Sequence, residues 1–97
     1  MQPVNYDRMT PRERRAIREA YIAEQHGICC YCHALLTEAS PHEVNKTKVD
    51  WDRFPPNFLR WPVHLHHDHA TGMTIGAVHA YCNAVSFDYD ESPRRKG

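Results

Sequence analysis

No apolar run in this chain approaches the roughly 20 residues that a bilayer-crossing helix requires, although 41 % of its residues are hydrophobic. Nor does it carry the charged start followed by an apolar block that marks a secretory signal. Those two absences predict a soluble protein with no membrane partner, working in the cytoplasm. Net charge is lacking as well, because 12 lysines and arginines balance 12 aspartates and glutamates. No global positive field announces a nucleic-acid partner, so any such binding has to come from local patches, or from histidines and a bound metal. Internal repeats are also missing. With 97 residues the chain makes one domain and buries a modest fraction of its surface, so a structural metal or oligomerisation is expected to help it fold.

What the chain has in plenty is metal-ligand chemistry: 4 cysteines and 8 histidines. Cys29, Cys30 and Cys32 are crowded together and Cys82 stands far along the chain, an arrangement that suits a metal knuckle better than a disulfide framework. Cys29 and Cys32 are in C-x-x-C register, which lets two thiolates reach one zinc from a tight turn. His79-x-x-Cys82 repeats that spacing. Together the two pairs predict a closed tetrahedral shell, the structural type of zinc site, tying the early chain to the end of a hairpin and replacing missing core. Cys30 has no partner at that spacing and is expected to be a small buried filler.

Along the chain, residues 1–9 read as a loose leader. Thr10-Pro11-Arg12-Glu13 predicts a helix start, with Thr10 as N-cap, Pro11 at the first helical position and Glu13 closing a capping box. The helix should run to about Gln25 and end at Gly27. Ala16, Ile17, Ala20, Tyr21 and Ala23 or Glu24 form its apolar stripe. Arg12, Arg14, Arg15 and Arg18 fall largely off that stripe, either as an ordinary solvated face or as a phosphate-contacting one, since guanidinium forks suit phosphate oxygens. Residues 34–60 read as a long irregular connection, with a short helix allowed at Ser40-Pro41-His42-Glu43 and with His33 and His42 on the surface. Its aromatics, Trp51, Phe54 and Phe58, with Trp61 just beyond, either cover a small core or form a substrate-facing wall. Trp61–Leu65 and Met73–Val78 are predicted strands joined by a turn at Ala70-Thr71-Gly72. A second helix follows from about Ala80 through Phe87, then a basic, disordered tail. The fold class is α+β, in the order helix, knuckle, loop, hairpin, helix, as a single domain over residues 1–97. Its core is expected over about 28–90, with 1–9 and 92–97 flexible.

His64-Leu65-His66-His67-Asp68-His69 is the densest stretch. Imidazoles beside a carboxylate suit a site that holds a divalent metal, moves a proton near pH 7, or does both. Alternation along an extended chain puts His67 and His69 on one side, and His66 and Asp68 on the other. Asn83 directly follows a zinc ligand, so the knuckle fixes its direction. A hard oxygen from Asn83 facing His66 would hold Mg²⁺, Mn²⁺ or a similar ion with open positions. The bland alternative is that these histidines decorate a polar hairpin or add secondary zinc ligands.

Taken together, Cys29-x-x-Cys32, His64 to His69, Gly72, Gly76 and His79-x-x-Cys82-Asn83 resemble the recombination endonuclease VII branch of the HNH, or His-Me finger, nucleases, a group best known from bacteriophages. The resemblance covers roughly Ile28 to Val85. It implies a two-stranded hairpin followed by a helix, a catalytic metal between them, a zinc knuckle bracing one end, and the cytoplasm of a phage-infected host as the setting. It implies His67 as general base, His66 and Asn83 as ligands of the catalytic divalent metal (Mg²⁺, Mn²⁺ or Ni²⁺), and His69 as a second active-site histidine. The chain departs from the family at three places. His66 replaces an aspartate, His79 replaces a zinc-binding cysteine, and Ile75 stands where arginine is frequent. The expected function is metal-dependent endonucleolytic hydrolysis of DNA, with Arg14, Arg15 and Arg18 as candidate nucleic-acid contacts. Two alternatives are an inactive zinc module that binds nucleic acid or a host protein, and a homodimeric junction resolvase joined through the N-terminal helix.

Overall fold

The computed structural model describes residues 1–41 and 49–86. The first helix, α1, spans Pro11–Glu24, and it starts where its sequence dictates. Thr10 Oγ1 accepts from the Glu13 N–H at 3.2 Å, and the Glu13 carboxylate accepts from the Thr10 N–H at 2.9 Å, satisfying two donors that a helix start otherwise leaves open. Thr10→Ala is therefore expected to cost about 1 kcal/mol, read as a shift in the denaturant midpoint. The helix ends at Gln25, with Gly27 at φ +74°.

Two antiparallel strands, β1 (Val63–His67) and β2 (Thr74–His79), form the hairpin, and a second helix, α2, runs Ala80–Ser86. The strand pattern matches expectation with both strands shifted towards the C-terminus. Pairing runs in register from Val63↔His79 to His66↔Gly76, then slips so that His67 faces Thr74. Ile75 is the residue skipped, half exposed at 51 %. The turn is organised by Asp68, whose Oδ1 accepts from the Ala70 N–H at 2.8 Å.

The core brings together Tyr21, Cys29, Leu36, Leu65, Ala77, Val78 and Cys82. The largest fully buried side chains are Val78, Cys29 and Cys82, so thiols occupy the place that leucine or phenylalanine takes in a larger domain. Gly76 lets the layers close. A Cβ there would meet Gln25 Oε1 at 2.7 Å and Cys30 Sγ at 2.9 Å, and Gln25 uses that proximity to bond both the N–H and the carbonyl of Ala77. Cys30 is half-buried beside it rather than fully enclosed.

Three expectations are corrected. Residues 1–9 are not a loose leader. Val4 and Thr74 exchange hydrogen bonds, the Tyr6 N–H donates to the Gly72 carbonyl at 2.7 Å, and residues Tyr6–Arg8 form a short 3-10 turn. The core does not begin near residue 28, since Tyr21 lies inside it and donates to or accepts from Thr74 Oγ1 at 2.9 Å. The packed face of α1 keeps only part of the expected apolar stripe: Ala16, Ala20, Ala23 and Glu24 are exposed, whereas Ile17 is half-buried, Tyr21 is buried, and Arg14 and Arg18 are half-buried beside them. Long arginine stems cover apolar surface while keeping their charged ends at its rim, so arginines can share a face with Tyr21. Of the short helix expected at Ser40 to Glu43, Ser40 and Pro41 are not helical and His42 and Glu43 lie outside the described residues, as does the basic tail.

Candidate metal centre and active-site cleft

The knuckle assembles as its spacing predicts. Ligand atoms of Cys29, Cys32, His79 and Cys82 all lie within 4.8 Å of one another. Cys32 Sγ is 3.3 Å and Cys82 Sγ 3.6 Å from His79 Nδ1. A tetrahedral zinc with sulfur and nitrogen ligands at its usual bond lengths separates such atoms by about 3.6 Å, so the cluster fits zinc. The imidazole is already oriented for it: His79 Nε2–H donates to the carbonyls of Leu35 (3.0 Å) and Glu38 (2.9 Å). That fixes the tautomer and turns the Nδ1 lone pair towards the thiols.

The thiols themselves call for a cation. Cys29 is pulled down to about 4, chiefly by a hydrogen bond from Cys82 and then by backbone N–H groups. Cys82 is pushed far up, first because its proton serves Cys29 and then by burial. Burial also raises Cys32. One buried thiolate thus suppresses ionisation of its neighbours, and a divalent ion at their centre would remove that penalty.

α2 begins directly after His79, and Asn83, the residue next to Cys82, points back to β1. Its Oδ1 lies 3.0 Å from His66 Nδ1, and its Nδ2 lies 3.1 Å from His64 Nδ1. His64 and His66 share one strand face by alternation, so the amide sits between two imidazoles. The pKa of His64 is lowered mainly by burial and further by Arg18, while hydrogen bonds with the Phe58 and Trp61 backbone oppose the shift. With the Asn83 Nδ2 directed at His64 Nδ1, the oxygen is the end of the amide that faces His66. Sequence reading placed His64 in the cluster without a role, because its partner is reached only through the fold.

His66 is buried, 8 % exposed, and does not itself line the cleft, which it reaches only through Asn83. His67 and His69 lie together, ring centroids 4.6 Å apart, on the cleft itself. Asp68 parts from them and serves the turn. The cleft, about 470 Å³, gathers His64, His67, His69 and Asn83 with Arg14, Arg15 and Arg18 of α1, and with Phe58 and Trp61 of the connection. All three arginines singled out in the sequence therefore border the same space as the histidines. Arg14 is engaged there, its Nε donating to the Tyr6 carbonyl at 3.0 Å. The loop aromatics Trp51, Phe54 and Phe58 cluster with one another, with Tyr81 and His64 at the edges, and of the three only Phe58 lines the cleft. Ile75 does not line the cleft.

Among the described residues no helix is long and apolar enough to cross a membrane. Comparison of the chain with family models, curated proteins and solved structures gave no match.

Proposed function

We propose that this chain is a zinc-braced endonuclease of the His-Me finger type, hydrolysing DNA phosphodiester bonds with His67 as general base and a second, divalent ion on His66 and Asn83. The observation that carries the reading is the 3.0 Å approach of Asn83 Oδ1 to His66 Nδ1 at the edge of a cleft that also holds His67 and three arginines. This pair would hold a divalent ion through one imidazole nitrogen and one amide oxygen. Imidazole in place of the family's aspartate favours Mn²⁺ or Ni²⁺ over Mg²⁺.

His67 lines the cleft, and an imidazole is the side chain suited to take the proton of an attacking water near neutral pH. Arg15 and Arg18 border the cleft from α1 and suit phosphate oxygens through charge-assisted hydrogen bonds. His69, beside His67, orients that imidazole or contacts the phosphate. When bound, an ion on His66 and Asn83 would supply Lewis acidity towards the phosphate and the leaving 3′ oxyanion. Zinc held by Cys29, Cys32, His79 and Cys82 would take no part in the chemistry and would brace Cys82 and, one residue on, Asn83.

Incubation with supercoiled plasmid across Mg²⁺, Mn²⁺, Ni²⁺ and Zn²⁺ tests the reading. Relaxed and linear products that vanish with chelator are expected; supercoiled DNA left intact with every metal would favour the inactive binding module. His64 offers a second check. His64→Leu removes the acceptor that orients Asn83 and is expected to weaken Mn²⁺ binding about 10- to 100-fold, the usual effect of losing a ligand's outer partner. His64→Asn, which restores an acceptor near the Nδ1 position, should recover most of it.

A further inference from the structure

Tyr6 lies flat against His67, ring centroids 3.9 Å apart and planes inclined by 7°. Aromatic pairs left to themselves prefer offset or edge-to-face arrangements with centroids about 4.5–7 Å apart. Something else therefore holds this pair, and the surroundings show what. The Tyr6 N–H donates to the Gly72 carbonyl at 2.7 Å, and Asn5 bridges to Met73. The Tyr6 carbonyl accepts from Arg14 Nε, while the same guanidinium lies 3.9 Å above the outer face of the Tyr6 ring. Gly72 accommodates the segment: it has φ +77°, and a Cβ there would meet Asp7 Oδ2 at 2.6 Å and Asn5 Oδ1 at 3.1 Å. The hairpin turn and α1 thus clamp Tyr6 from both sides.

We infer that Tyr6 is a positioning residue for His67, and that the N-terminal segment is part of the active site. The inference rests on the hydrolytic reading of His67. Stacking engages the faces of the imidazole, Tyr6 on one and the tilted His69 ring alongside. The nitrogen lone pairs lie in the ring plane, so a face-on clamp holds the ring's direction without consuming the atom that takes the proton. Arg14 acts one layer further out: its engagement on Tyr6 makes it a brace of the stack, leaving Arg15 and Arg18 as the phosphate contacts.

The test compares Tyr6→Phe, which keeps the ring, with Tyr6→Leu, which keeps apolar bulk and loses it. Each variant is first checked for zinc content and melting temperature. The ring protons of His67 in the zinc-loaded wild-type protein should show an upfield ring-current displacement by NMR, retained in Tyr6→Phe and lost in Tyr6→Leu. In plasmid cleavage, Tyr6→Leu should lose about 10- to 100-fold in kcat with KM unchanged, the scale of a small misplacement of a catalytic group, and Tyr6→Phe should cleave like the wild type. Absence of the displacement in the wild type, or wild-type kcat in Tyr6→Leu, overturns the inference. A wild type that shows the displacement and cleaves nothing overturns the hydrolytic reading instead, and the positioning role with it.

Discussion

Chelating the zinc proposed for the Cys29, Cys32, His79 and Cys82 cluster is expected to unfold the protein, and Cys82→Ser to have nearly the same effect. Structural zinc sites in small modules bind with an apparent free energy of about 10–16 kcal/mol, while whole domains are stable by about 5–15 kcal/mol. Here the ligands come from both ends of the fold. Cys29 and Cys32 follow α1, and His79 and Cys82 join β2 to α2. Two of the thiols are completely buried in the core. Removing the ion leaves a buried thiolate at Cys29 among thiols that resist ionisation, and the chain has little apolar core to compensate. Circular dichroism followed during chelation reads the outcome. Cys30→Ser is the control: its side chain is half-buried and outside the ligand set, so it should keep its zinc and its melt. A chelated protein that melted at the temperature of the loaded one would show that the cluster is dispensable for folding.

The second large effect is on activity. His67→Ala should lower kcat by about 10²–10⁴-fold, the usual share of a general base, with zinc content and the melting curve close to wild type. The side chain is half-buried at the cleft and lies outside the core cluster, so its truncation leaves the fold's main contacts in place. Cleavage at the wild-type rate would remove His67 from the base role. A large loss of zinc or stability would mean that the stack with Tyr6 is a structural element first.

Parts of this arrangement are readable from the chain because they depend on short, fixed spacings. The two C-x-x-C-like pairs and the Thr10 to Glu13 capping box involve residues three apart, and both form as expected. The hairpin and following helix are legible for the same reason. The position of residues 1–9 is not, because its contacts are with partners far along the chain: Val4 bonds Thr74 across 70 residues. Polar, proline-containing termini look alike whether they dock or not. The packed face of α1 is obscured in a different way. Of the stripe Ala16, Ile17, Ala20, Tyr21 and Ala23 or Glu24, only Ile17 and Tyr21 are covered; alanine gains little from burial, so its positions mark the packed face poorly. His64 is hidden because its partner Asn83 lies 19 residues further along the chain and is reached only through the fold. The alternation of His67 and His69 against His66 was visible, whereas the register slip beside it, opposite Ile75, has no sequence signal.

The most direct test of the two-ion arrangement is a Mn²⁺ titration of zinc-loaded protein, followed by electron paramagnetic resonance, in the wild type and in Asn83→Ala. One Mn²⁺ site is expected in the wild type, lost in the variant while zinc stays bound. Mn²⁺ binding that is missing from the wild type, or unchanged without the Asn83 amide, would contradict an ion held between β1 and α2.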